Sequence, residues 1–341
     1  MKAKIIIVSV VLCLCAAAIP LFAADKPKDK PGIIGDWKIS ADFDGNQMLN
    51  RMSVSQKPDG TLLIKWGLGS TGGKISDVNL AGNKLTFVRT SKGFGGDDME
   101  SDIEATLQPK GSLTGKMSSD FGEFDFTGTR ILPKSDIVGV WAIKCTDANG
   151  QPAETKLTIK QDPNGPLKGK WKAPAGDATV SDVQFKDGKL TLKLASKTAG
   201  KESQSTYEAQ LKGDQLTGKI QTGSVSKEAN GSRFGKNLIG EWELTVVSER
   251  GDMPAALLVE KDLSAVYNAF FGENNVENLK LDGDKLTFSV SFGFGDRTFE
   301  MDFSGTVTGD NIKGQMTSER GTSDVSGKKI TATPAADASK K

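Results

Sequence analysis

Gly35-Asp36-Trp37, Gly139-Val140-Trp141 and Gly240-Glu241-Trp242 recur along the chain with tryptophan spacings of 104 and 101 residues. Each triplet is followed by the same landmarks in the same order. First comes an aromatic closing a short strand: Trp66, Trp171 and Phe270. Next is Gly82-Asn83-Lys84-Leu85-Thr86-Phe87, matched by Gly188-Lys189-Leu190-Thr191-Leu192 and Gly283-Asp284-Lys285-Leu286-Thr287-Phe288. Leu113-Thr114-Gly115-Lys116-Met117 then matches Leu216-Thr217-Gly218-Lys219-Ile220 and Ile312-Lys313-Gly314-Gln315-Met316. Each copy ends on Gly128-Thr129-Arg130, Gly231-Ser232-Arg233 or Gly327-Lys328-Lys329. Self-similarity of this length identifies tandem copies of one structural unit.

Within a unit the apolar residues alternate with period two, the signature of strands and not of helices. In the second copy this predicts strands near 139–146, 155–161, 167–171, 178–185, 189–195, 205–211, 215–221 and 228–234. Asn149-Gly150, Asp187-Gly188 and Gly213-Asp214 lie between them and tolerate the positive φ of tight hairpins. Eight short strands joined by tight turns form an up-and-down meander, which avoids exposed edges by closing on itself. The expected fold is therefore all-β, three tandem eight-stranded antiparallel up-and-down barrels over residues 32–131, 136–234 and 237–330. Open β-sandwiches are the alternative, because strand count alone does not establish closure. The links at residues 132–135 and 235–236 are too short for flexible tethers, so the barrels should sit close together in a monomer of three domains.

A Gly-x-Trp opening the first strand and an Arg in the last resemble the lipocalin and avidin superfamily of small antiparallel barrels. That resemblance implies that Trp37 pairs with Arg130, Trp141 with Arg233, and Trp242 with the more weakly matching Lys329 at the closed end of each barrel. These six are structural candidates, since a guanidinium can lie on an indole face while its donors satisfy nearby carbonyls. Units of roughly 95 to 100 residues are shorter than ordinary lipocalins, and avidin's ligand-contacting residues find no counterparts in any copy.

Composition narrows the chemistry. The 341 residues include 44 Lys and Arg, 43 Asp and Glu, 3 Cys and no His. Without histidine there is no Ser-His-Asp or Cys-His catalysis and no His-containing zinc site. The balanced total charge offers no electrostatic footprint for nucleic acid. Lys2 and Lys4 precede an apolar run over residues 5–18, and Pro20-Leu21-Phe22-Ala23-Ala24 leads into a charged stretch at residues 25–31. This is the layout of a secretory signal peptide cleaved near Ala23 or Ala24, followed by a charged linker, and it implies a periplasmic or extracellular destination. Cleavage removes Cys13 and Cys15, leaving Cys145 alone and unable to form an internal disulfide. Trp141, Ile143 and Cys145 alternate, which places Cys145 on the apolar face of a strand. The tail at 331–341 has no periodicity and reads as disordered.

Candidate ligand-binding residues come from features that differ among the copies. Gly93-Phe94-Gly95-Gly96-Asp97-Asp98 and Gly293-Phe294-Gly295-Asp296-Arg297 occupy one loop position, where the second copy has Thr198-Ala199-Gly200-Lys201-Glu202. Phe94 and Phe294, with Asp97, Asp98, Asp296 and Arg297, are expected either to line a barrel mouth or to fold back over the core. Trp66 and Trp171 offer flat faces to an apolar or sugar-like ligand, although their alternation with Ile64 and Gly169 favours core packing. Asp42-Phe43-Asp44-Gly45-Asn46 lacks the acidic set of a calcium loop and reads as a turn, so no metal site or cofactor is expected. Asp98 with Glu100, and Asp296 with Glu300, are acidic pairs with no surrounding catalytic constellation, and no catalytic residue is assigned. The sequence thus points to an exported non-catalytic binding protein for a small apolar or sugar-like ligand, or to a structural module contacting a cell-envelope protein or glycan. A His-independent carboxylate enzyme is the third reading.

Overall fold

The structure, a computed structural model, describes residues 32–43, 45–92, 97–120, 122–146, 150–163, 165–174, 176–198, 201–248, 251–269, 272–294 and 297–331. Phe94, Asp296, Phe270, the N-terminal residues 1–31 and the tail beyond 331 lie outside the described residues. Barrel 1 comprises β1 (Gly35–Phe43), β2 (Asn46–Gln56), β3 (Leu62–Trp66), β4 (Lys74–Ala81), β5 (Lys84–Lys92), β6 (Asp98–Leu107), β7 (Leu113–Ser119) and β8 (Gly122–Arg130). Barrel 2 comprises β9 (Gly139–Thr146), β10 (Pro152–Gln161), β11 (Leu167–Lys172), β12 (Thr179–Lys186), β13 (Lys189–Thr198), β14 (Lys201–Lys212), β15 (Gln215–Thr222), β16 (Val225–Glu228) and β17 (Asn230–Arg233). Barrel 3 comprises β18 (Gly240–Ser248), β19 (Gly251–Val259), β20 (Ala265–Ala269), β21 (Gly272–Asp282), β22 (Lys285–Phe294), β23 (Arg297–Thr308), β24 (Asn311–Ser318) and β25 (Gly321–Lys329).

Each sheet is an antiparallel meander whose last strand returns to the first, and there Trp37 faces Arg130, Trp141 faces Arg233, and Trp242 faces Lys329. Barrel 3 is a closed ring. Barrel 1 is open between β3 and β4, while β11 reaches the start of β12 through the isolated Trp171–Ala178 bridge. The three units are thus eight-stranded barrels, one closed and two nearly so. β16 and β17 together form the eighth strand of barrel 2. They part at Ala229, whose carbonyl accepts the Tyr207 hydroxyl at 3.1 Å, while the Gly218 N–H turns to Asn230 Oδ1 at 3.1 Å.

The fourth and fifth strands of every barrel shift register at one matching place, carrying Asp77, Asp182 and Asn278 at φ of 52°, 51° and 52°. Asp and Asn tolerate this left-handed conformation better than other side chains, so a bulge at that point has a sequence cause. Inward alternation then builds one apolar core per barrel, centred on Trp37, Trp141 and Trp242.

Barrel 3 touches both of its neighbours. Toward barrel 1, Arg51 on β2 forms a two-pronged ion pair with Glu273 on β21, and Lys65 on β3 meets Glu241 on β18 at 2.6 Å. Ala256 points away from the interior of barrel 3 and is still fully buried, because Gly69 of barrel 1 packs against it. Toward barrel 2, the Val140 N–H donates to the Lys261 carbonyl at 3.2 Å and the Lys261 ammonium meets Asp136 at 3.1 Å.

Candidate functional site

The closed ends share one construction. Trp37, Trp141 and Trp242 each donate their indole N–H to a carbonyl four residues earlier, Ile33, Ile137 and Leu238, at 2.9, 3.0 and 2.7 Å. Arg130 and Arg233 lie over Trp37 and Trp141 at 4.2 Å, and Lys329 lies over Trp242 at 5.4 Å. The Arg130 fork binds the Ile34 and Gly32 carbonyls. The Arg233 fork binds the Val138 carbonyl at 2.9 Å, the Asp136 carbonyl at 3.0 Å and the Asp214 carboxylate at 2.6 Å. Gly35, at φ +134°, and Gly139, at φ +155°, lie directly under the guanidinium, where a Cβ would strike Nη1. The Gly-x-Trp and terminal Arg are therefore parts of one contact. The hydrogen bonds of this contact run to the chain's own carbonyls and carboxylate, while the buried Arg130 Nε is left without a partner.

The opposite ends hold the loop candidates. Asp97, Asp98 and Arg297 are exposed. Asp98 pairs with Lys92 at 2.8 Å, and the hydrogen bond and charge of that lysine hold the carboxyl below its ordinary value. An exposed carboxylate tied to a lysine is poorly suited to proton transfer at neutral pH. Phe294 ends β22 opposite Arg297. One step deeper, Phe292 and Phe299 stack with ring centres 5.4 Å apart, and Arg320 stands 5.0 Å from Phe299.

Trp66 and Trp171 are buried. Trp66 meets Phe126 edge-on at 6.0 Å, and Trp171 meets Tyr207 at 5.7 Å. Strand register aligns Trp66 with Met52, Trp171 with Leu157 and Tyr267 with Leu257. By register the third-copy counterpart of these tryptophans is Tyr267, and Phe270 lies outside the described residues. Burial pushes the phenols of Tyr207 and Tyr267 well above their ordinary value, with the nearby Cys145 adding to the effect at Tyr207. Cys145 is half-buried against the core of barrel 2.

Two features escaped sequence reasoning. Arg89 shares the inward face of β5 with Leu85 and Phe87, and its guanidinium donates to the Gly72 carbonyl at 2.7 Å. It ties the loop at residues 67–73 across the open seam of barrel 1. Burial holds it below its ordinary value, and its guanidinium serves as a clamp on the Gly72 and Thr71 carbonyls. The second feature is the interface pair Arg51–Glu273, 222 residues apart in sequence. No local pattern could have paired them.

Two cavities are lined mainly by polar residues. One of about 460 Å³ lies on barrel 2 among Ser181, Lys193, Gln204, Thr206 and Gln221, and another of about 240 Å³ lies between barrels 2 and 3 among Asp214, Lys236, Asp310 and Lys329. Asp42 accepts the Gly45 N–H at 2.9 Å, closing a turn in which the carboxylate serves the backbone. Among the described residues no group of three or more Cys, Asp or Glu is gathered to hold a metal ion.

No family model matches the sequence, and no curated protein does. Among solved structures, a candidate outer membrane protein from Bacteroides fragilis NCTC 9343 is 11% identical, covering 59% of this chain and 97% of its own, at a TM-score of 0.29. Transferrin binding protein B from Haemophilus parasuis Hp5 is 13% identical, covering 87% and 76%, at a TM-score of 0.20. A protein of unknown function from Nostoc punctiforme PCC 73102 is 12% identical, covering 87% and 96%, at a TM-score of 0.17. Likeness at this level carries no activity from one protein to another. This chain is a tandem array of three eight-stranded antiparallel barrels, one closed and two nearly closed.

Proposed function

We propose that this protein is an exported, non-catalytic interaction module of the cell envelope that contacts its partners through the outer faces of its barrels. The observation that carries this reading is the burial of inward side chains in each barrel, the three first-strand tryptophans together with Leu85, Phe87, Leu190, Leu192, Leu286 and Phe288. An eight-stranded barrel is only just wide enough for its side chains, and these barrels use that width for packing. The polar surface cavities are poor pockets for an apolar molecule.

The export signal at residues 1–24, the linker at 25–31, the barrel boundaries 32–131, 136–234 and 237–330, and the tail at 331–341 belong to this proposal. So do a periplasmic or extracellular destination and kinship with lipocalin and avidin barrels at the level of the Trp–Arg closed end. A second reading is a small apolar ligand at the open end of barrel 3, supported by the Phe292–Phe299 stack beneath Phe294.

Native mass spectrometry of protein purified from its own source tests both. The proposal expects the mass of the chain without residues 1–24 and no retained molecule. A stoichiometric small molecule lost in a Phe292→Ser, Phe299→Ser variant would overturn it in favour of the second reading.

A further inference from the structure

Barrels 1 and 3 dock on each other through equivalent faces, the outer sides of their first three strands with the adjoining loop or strand. Arg51 and Lys65 project from that face of barrel 1, while Glu241 and the buried Ala256 lie on that of barrel 3. In barrel 2 the corresponding face is β9–β11, and no other barrel covers its lysines: Lys156, Lys160, Lys168, Lys170 and Lys172 all point outward and are exposed. Register sets Lys156 directly opposite Lys172 and Lys160 directly opposite Lys168.

Like charges facing each other across a strand pair destabilise the sheet, so these two lysine pairs carry a cost in stability. Of these five ammonium groups Lys168 pairs with a carboxylate, Asp162, while the neighbouring Glu154 lies opposite a sixth lysine, Lys144. Lys156 rests 3.9 Å from the Phe234 ring. The asymmetry extends to whole barrels. Residues 136–234 hold 15 Lys and Arg against 11 Asp and Glu, whereas residues 237–330 hold 9 against 16.

We infer that the β10–β11 face of barrel 2 binds an extended acidic polysaccharide. This names the partner class for the outer-face interaction proposed above and rests on that reading. Lysines at alternate strand positions stand about 6.8 Å apart along the strand and about 4.8 Å apart between strands, a flat grid suited to a chain of repeated single negative charges. The grid contains lysine only, and without guanidinium forks it lacks the bidentate geometry that favours phosphate. The exposed large apolar residues lie elsewhere, at positions such as Leu63, Val225 and Met253, leaving this face with nothing to insert into a bilayer. It also has no exposed aromatic platform on which bases would stack. A second copy of the chain is a weaker occupant, because Glu241 and Glu273 of the acidic barrel 3 are already engaged by barrel 1.

Titrating the full mature chain with polygalacturonate tests the inference, with neutral dextran, phosphatidylglycerol vesicles and a short DNA duplex as alternatives. We expect salt-sensitive binding to polygalacturonate. It should weaken by about tenfold or more in the variant carrying Gln at 156, 160, 168, 170 and 172, with a shallower salt dependence, because each neutralised contact releases counterions. The corresponding Lys→Arg variant should retain binding, and a control with Lys38→Gln, Lys110→Gln and Lys313→Gln should match the wild type. The Gln variant should melt close to the wild type, since loss of the Lys168–Asp162 pair and the Lys156–Phe234 contact is offset by removal of two like-charge pairs. The inference falls if wild-type protein does not bind polygalacturonate at low salt, if the control variant loses as much as the lysine-face variant, or if vesicles, DNA or self-association compete more strongly. A small molecule retained in a barrel would defeat the filled-barrel reading and leave this titration unaffected, so the two failures are distinguishable.

Discussion

Barrels 2 and 3 agree inside and differ outside. Leu190, Leu192, Leu194 and Tyr207 of barrel 2 occupy the places of Leu286, Phe288, Val290 and Phe303 in barrel 3. Every inner position is surrounded on all sides, and a change there must be accommodated by the whole core. Outer positions answer only to what covers them. The face of β18–β20 is neutral to acidic and lies under barrel 1, whereas the face of β10–β11 is rich in lysine and exposed. Copies of one unit have thus kept a common interior and taken on separate surfaces.

The sharpest way to break this contrast is to remove the contact that gives barrel 3 its neighbour. Glu273 is 4% exposed and Arg51 21% exposed. Burial tends to lower the Arg51 guanidinium, but the hydrogen bond and charge of Glu273 outweigh it and leave the group above its ordinary value. Glu273→Ala should destabilise the barrel 1–barrel 3 contact by about 3 kcal/mol, because it leaves a guanidinium without its partner in a desolvated place. Differential scanning calorimetry should then show barrel 1 melting separately. The double variant Arg51→Met, Glu273→Leu should recover much of the loss. A single unchanged transition for Glu273→Ala would show that the barrels hold together without the pair.

Exchanging the last-strand cations compares the closed ends directly. Arg233 uses three donors on three acceptors, while Lys329 donates to the Asn237 carbonyl at 2.9 Å and is held below its ordinary value by burial, partly opposed by Asp310. Arg233→Lys should cost about 2 kcal/mol through the lost charged hydrogen bonds, and Lys329→Arg should raise stability by at most about 1 kcal/mol. Chemical denaturation read by tryptophan fluorescence measures both. Equal and small effects would mean that stacking on tryptophan, and not the fork, fixes this end.

The interior was legible in the sequence because its causes are local. A glycine that admits the guanidinium, a tryptophan four residues beyond its carbonyl partner, and alternating apolar residues all repeat at fixed offsets. The bulge was marked as well, since Ser76-Asp77-Val78 and Ser181-Asp182-Val183 recur at its position. The outer faces were hidden for two reasons. Arg51 and Glu273 resemble any surface charges until tertiary structure brings them together. The near balance of 44 against 43 charges conceals an excess of one sign on barrel 2 and of the other on barrel 3. Lys168, Lys170 and Lys172 become a row only once β11 is known to be a strand. The loop candidates are divided: Asp97, Asp98 and Arg297 lie at the open ends without forming a common site, while Phe94 and Asp296 fall outside the described residues.

The smallest effect at neutral pH becomes visible only in alkali. The chain has 2 tyrosines, and each reports on one barrel: Tyr207 in barrel 2 and Tyr267 in barrel 3, both buried. Burial favours the neutral phenol in both, so the folded state holds these protons to higher pH than the unfolded chain does. Their stabilising contribution is fully present below the unfolded tyrosine value of about 10 and is lost as pH rises beyond it toward the folded values. Tyrosinate absorbance should therefore appear together with the loss of tryptophan fluorescence and not ahead of it. Tyr207→Phe should cost about 1 kcal/mol at neutral pH, through the lost bond to the Ala229 carbonyl. In that variant the remaining absorbance step comes from barrel 3 alone, and its midpoint gives the alkaline limit of the closed barrel separately from that of the nearly closed one. Ionisation near pH 10 with tryptophan fluorescence intact would show that solvent reaches these phenols in the folded barrels. The filled interiors on which barrels 2 and 3 agree would then be open to water.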